Sequence, residues 1–180
     1  MIRASVLTAA VYLAVIVQEF IPAMPFFGDA RVVLVPILFC YGALLFPFPG
    51  VLALALYCGL LSDLALLQVD GEHVEIGLGL TMLYYVLVAA TLQIFRPFMP
   101  GRRWETHCLL TGAVTLVLLL GQYMMVCLRR GSLILDADVF WQITGPAVAA
   151  LLLAPLFYSL LALLPDDAVV RRRGRRSTAS

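Results

Sequence analysis

Residues 31–68 read RVVLVPILFCYGALLF, then PFP at positions 47–49, then GVLALALYCGLLSDLALLQ. Two apolar runs flank a pair of prolines. A helix that crosses a membrane needs about 20 mostly apolar residues, because each adds about 1.5 Å toward a hydrocarbon core of about 30 Å. Pro47 and Pro49 disfavour a helix running through them. The stretch therefore predicts two spans, 31–46 and 49–68, joined as a tight hairpin. One span plus one re-entrant segment is the open alternative.

Working outward, four more apolar runs predict helices over about 4–22, 76–95, 106–128 and 144–164. The whole chain agrees with this reading. Of 180 residues, 63% are hydrophobic and 13% charged, and the mean hydropathy is +1.01. A soluble domain sits nearer half apolar and a quarter charged. The first run follows one early arginine, Arg3, and outlasts the apolar part of a signal peptide, so it reads as a retained helix. The expected fold class is all-α: a polytopic membrane protein, a six-transmembrane-helix bundle with both termini cytoplasmic. One domain covers 1–165, and a basic, disordered cytoplasmic tail covers 166–180.

Orientation rests on the arginines, since the chain has no lysine. With the N-terminus inside, Arg3, Arg96, Arg102, Arg103 and the tail residues Arg171, Arg172, Arg173, Arg175 and Arg176 lie on the cytoplasmic side. Only Arg31, Arg129 and Arg130 lie outside. Nine against three fits the positive-inside bias, with the Arg129–Arg130 pair running against it. The acidic loop 70–75 and the Asp136/Asp138 pair then face outward. Residues 132–142 are too polar to span. Trp141 suits the outer interface. Thr144 is expected to cap the sixth helix, with Pro146 in its first turn and Pro155 kinking it further on.

Asp63 carries the most information of any single residue. An ionisable group in hydrocarbon is costly and faces protein or water. Ala55, Gly59 and Asp63 recur every four residues and so share a helix face, where small side chains allow close helix approach. Two roles stay open: a proton or ligand site, or a structural carboxyl hydrogen-bonded to a neighbouring helix near the outer interface. Gln18 and Glu19 end the first helix within reach of that interface. Gln93, Gln122 and Gln142 lie near or within spans, and Gln122, the deepest, is expected to satisfy a neighbouring helix. Ala10/Ala14, Gly145/Ala149 and Ala150/Ala154 have small-xxx-small spacing and mark packing faces.

Cys40, Cys58, Cys108 and Cys127 lie in or beside apolar runs without metal spacing, and read as small buried hydrophobes. His73 and His107 gather no metal set around them. No phosphate loop, HExxH or GxSxG motif is present. No catalytic residue, cofactor site or metal site is expected, and no nucleic-acid binding. The arginine tail suits anionic lipids, at about 1 kcal/mol per basic residue near the surface, or simply holds the C-terminus inside.

The order of motifs from about Gln18 to Leu164 resembles the bacterial rod shape-determining MreD family. Leu34-Val35-Pro36-Ile37-Leu38 followed by Tyr41 is similar to that family's proline before an apolar helix. Gly59-Leu60-Leu61-Ser62-Asp63-Leu64 resembles its glycine–x–x–x–aspartate–leucine signature, and Gly77 follows after a loop. Gln93-Ile94-Phe95-Arg96 is similar to its fourth-helix exit. Val139-Phe140-Trp141 precedes the last helix, and Pro155-Leu156-Phe157 resembles its aromatic–proline end. The outer loop 69–76 is longer and more acidic than the family pattern, and Gly145-Pro146-Ala147 replaces polar residues early in the last helix. The resemblance implies a non-enzymatic scaffold of the cell-elongation complex in the bacterial inner membrane. Its partner would be a bitopic MreC-like protein, linking MreB filaments indirectly to RodA and a class B penicillin-binding transpeptidase. Asp63, Gly59, Ala55, Pro36, Pro155, Trp141 and Glu19 are the candidates for bundle packing or a partner groove.

A second reading is the substrate-binding subunit of an energy-coupling-factor vitamin transporter. Such subunits also have six helices, and Glu19, Asp63 or Trp141 could line a ligand site. No cluster of polar or aromatic ligand residues is visible along the sequence.

Overall fold

A computed structural model describes residues 2–22, 31–66, 79–98, 104–131 and 136–162. They form six α-helices: α1 (Ile2–Phe20), α2 (Val35–Leu45), α3 (Phe48–Leu66), α4 (Leu80–Phe95), α5 (Trp104–Arg130) and α6 (Ala137–Ala162). A 3₁₀ turn, Arg96–Phe98, follows α4. No strand occurs among the described residues. Four helices, α1, α3, α5 and α6, are long and apolar enough to cross a membrane. Their outward faces carry large apolar side chains, such as Leu13, Leu64, Leu109 and Leu152. That is the arrangement a lipid environment favours.

The helices α2 and α4 are shorter, with 11 and 16 residues. At about 1.5 Å per residue, α2 covers about half of the hydrocarbon thickness. It starts four residues later than the sequence suggests, because Pro36 sits in its first turn, where a proline fits best. Every residue from Val35 to Ala43 is buried, and α2 packs against each of the other five helices. A helix apolar on all sides belongs at the centre of a bundle. The irregular approach to it, including buried Val32 and Leu34, is shielded from lipid by protein.

The helix break expected at Pro47 and Pro49 is present, although α2 is shorter than a membrane span. Phe46 leaves the helical conformation, with φ −88° and ψ 155°, and the Pro47 carbonyl accepts the first hydrogen bonds of α3, from Gly50 and Val51. Pro49 therefore falls in the first turn of α3, where its missing N–H costs nothing. The carbonyls left over at the end of α2 are satisfied from α4. Arg96 donates to Phe46 O at 2.9 Å and to Leu44 O at 3.1 Å, and the Gln93 amide donates to Ala43 O at 3.3 Å. A cation at a helix C-terminus also opposes the negative end of its dipole.

The sixth helix departs from expectation. It begins at Ala137, not near residue 144, and takes in Val139, Phe140 and Trp141. Asp136 stands at the cap position, its carbonyl accepting the Phe140 N–H, and aspartate is among the preferred residues there. Thr144 is inside the helix and donates back to Phe140 O at 2.6 Å. Pro146 and Pro155 both lie within the helix. Residues 132–135, the acidic loop 70–75, Gly77 and the tail 166–180 fall outside the described residues, as do Arg102 and Arg103.

Inter-helix hydrogen bonds from tyrosines tie the bundle together. Tyr41 reaches Leu161 O on α6, Tyr57 reaches Thr8 O on α1, and Tyr84 reaches Gly121 O on α5. The four cysteines are free and buried, as small hydrophobes should be. Ala150 and Ala154 are fully buried, which matches their reading as a packing face.

Candidate functional site

The face of α3 that carries Ala55, Gly59 and Asp63 turns inward. Ala55 is fully buried and Asp63 is 4% exposed. Gly59 lies directly against the backbone of α4. A Cβ added there would collide with the Cα of Met82 and come within 2.8 Å of its nitrogen. Backbone cannot swing aside as a side-chain tip can, so only glycine fits this crossing.

One turn further along, the Asp63 carboxylate accepts a hydrogen bond from the Gly79 N–H at 2.8 Å through Oδ2. Gly79 is the N-cap residue of α4, with φ +97°, a left-handed conformation that glycine adopts without strain. The first amides of a helix lack intrahelical acceptors and carry the positive end of its dipole, and Asp63 serves both needs. Its other oxygen, Oδ1, is buried without a hydrogen-bond partner. Of the two roles open for Asp63, the geometry provides the structural one: a carboxyl bonded to the neighbouring helix. The glycine it meets is Gly79.

Beside this seam, between α3, α4, α5 and the end of α1, is a cavity of about 160 Å³. Ser62 and Ala65 border it from α3, Thr81 and Tyr85 from α4, and Thr115 and Gln122 from α5. Gln18 and Glu19 close it from α1, with Arg31 and Pro36 beside them. Gln122 donates to the Thr81 hydroxyl at 3.4 Å, the neighbouring-helix partner expected for it. Glu19 and Arg31 face each other at 3.6 Å, both well exposed. The Gln18 side-chain oxygen is buried with no partner.

This polar cluster is not visible along the sequence. Its members come from four helices and the approach to α2, so no short motif holds them. A signal was nonetheless available: Thr111, Thr115 and Gln122 recur at helical spacing on one face of an otherwise apolar α5.

The remaining candidates scatter. Pro36 shapes the start of α2 and touches the cavity. Pro155 is half-buried within α6, and Trp141 is exposed near its start, its ring 6.0 Å from that of Phe140. Toward the opposite end, His107 is fully buried between Tyr41 and Tyr158, and neither ring nitrogen has a hydrogen-bond partner. Among the described residues, no three metal-ligating side chains come together.

Compared with known proteins, the chain matches no family model, no curated protein and no solved structure at a significant level.

Proposed function

We propose that this protein is an MreD-like scaffold of a bacterial cell-elongation complex, acting without catalysis in the inner membrane. On this reading all six helices form the membrane domain, both termini are cytoplasmic, and the arginine tail lies against anionic lipid. The partner is a bitopic MreC-like protein, through which MreB filaments are coupled to RodA and a class B penicillin-binding transpeptidase.

The observation that carries the proposal is the α3–α4 seam. The two residues that define the glycine–x–x–x–aspartate resemblance meet α4 together, one by backbone contact and one by capping its first turn. A scaffold works by holding helix faces in fixed positions, and a seam built from backbone contact and a part-buried hydrogen bond supplies that rigidity.

The polar cavity favours a second reading, the ligand-binding subunit of an energy-coupling-factor transporter. One experiment separates the two. The tagged protein is drawn from its native membranes in mild detergent, and its companions are identified by mass spectrometry. Recovery of an MreC-like bitopic protein with RodA or the transpeptidase supports the scaffold. Recovery of paired ATPases with a coupling membrane subunit overturns it.

A further inference from the structure

We infer that the cavity beside the α3–α4 seam is a binding site for a small uncharged polyol group of about six non-hydrogen atoms. This inference holds on either reading of the protein's role.

Size comes first. The space measures about 160 Å³, and a cavity of about 150 Å³ accommodates one benzene-sized molecule. The lining then selects the chemistry. Gln18 Oε1 is a buried acceptor without a donor, and such an atom carries an uncompensated desolvation cost until one arrives. An apolar occupant would leave it stranded. The Thr115 hydroxyl already gives its hydrogen to Thr111 O at 2.8 Å, so toward the cavity its oxygen only accepts. The Ser62 and Tyr85 hydroxyls are hydrogen-bonded to each other, which leaves one hydroxyl hydrogen and the remaining lone pairs for an occupant. The occupant must donate to Gln18 and Thr115 while exchanging hydrogen bonds in either sense with Ser62 and Tyr85. Hydroxyl groups do this.

Charge narrows the class further. The charged lining residues are Glu19 and Arg31, and they are paired with each other. A charged occupant would find no free counter-ion among the described lining residues and would be costly to desolvate. Because both are exposed, the pair marks the mouth, at the end of α1. An occupant there could be a free polyol such as glycerol or the glyceryl headgroup of a lipid, and both present the same vicinal hydroxyls.

The test uses the full chain in phosphatidylcholine nanodiscs, with saturation transfer from protein methyl groups to added glycerol. Transfer is expected in the unaltered protein. It should fall about fivefold in Gln18→Leu and in Thr115→Val, each of which removes one hydrogen-bond acceptor at nearly constant volume. Val117→Ala, on the exposed face of α5, should leave it unchanged. Melting temperatures measured alongside show that the variants remain folded. Repeating the measurement in phosphatidylglycerol nanodiscs identifies the source: loss of the glycerol signal points to a lipid headgroup competing for the site, and persistence points to a free polyol. Absence of transfer in phosphatidylcholine, or equal transfer in the unaltered protein and both cavity variants, overturns the inference and leaves a space filled by water.

Discussion

On one face of α3, Gly59 and Asp63 meet α4 with no room for a methyl group. On the adjoining face, Ser62 and Ala65 border an open space of about 160 Å³ that α4 also lines, through Thr81 and Tyr85. Ser62 and Asp63 are adjacent in sequence, but a helix turns about 100° per residue, which sends them to different surroundings. The contrast teaches that polarity in a membrane helix has two uses. Asp63 is polar because it must complete another helix's backbone. Ser62 is polar where it lines the cavity and bonds the Tyr85 hydroxyl.

Substitutions on the two faces should therefore differ in size of effect. The largest is expected for Gly59→Val, which drives a branched side chain into the Met82 backbone. Overpacking of this kind costs about 3 kcal/mol, read as a lower midpoint when the protein is unfolded in mixed micelles. An unchanged midpoint would mean that α3 and α4 can separate freely, and the contrast between faces would fail.

Asp63→Ala comes next, at about 2 kcal/mol, because the Gly79 N–H loses its carboxyl acceptor. Asp63→Asn keeps an acceptor and should cost less than half as much. If Asn is as damaging as Ala, with normal membrane levels, the role of Asp63 depends on its charge and is not only hydrogen bonding.

Arg96→Ala sharpens the comparison from the far end of α4. It frees the Leu44 and Phe46 carbonyls from a charged donor, a loss of about 1.5 kcal/mol. The effect should appear as faster hydrogen exchange at the end of α2. Ser62→Ala should be the mildest, at about 1 kcal/mol, since it removes a single hydrogen bond to Tyr85 at the cavity wall. A large loss there would show that Ser62 is as structurally committed as its neighbour.

Much of the fold is legible in the sequence because membrane helices announce themselves by apolar length. The proline pair at 47 and 49 locates the hairpin, and the four-residue spacing of Ala55, Gly59 and Asp63 locates the seam. The start of α6 is not legible in this way. Residues 137–142 are too mixed in polarity to read as a span, yet the Asp136 cap and the apolar residues beyond it carry the helix through both Thr144 and Pro146. The central position of α2 is hidden too, since a buried helix and a lipid-facing one are equally apolar. The cavity is the hardest to foresee. Gln18, Ser62, Thr81 and Thr115 are unremarkable one by one, and only the packing of four helices brings them to one place.

The Arg96 contacts carry a consequence for how the chain is made. The donor that closes the end of α2 is encoded about fifty residues after the Phe46 carbonyl it serves. While α2 and α3 emerge from the ribosome, that end of the hairpin has only water to bond with. An 11-residue helix with wet carbonyls gains little from entering hydrocarbon alone. The end of α2 therefore acquires these donors only once the chain as far as Arg96 has been synthesised. Completion of that end of the central helix waits on an arginine that arrives midway through translation.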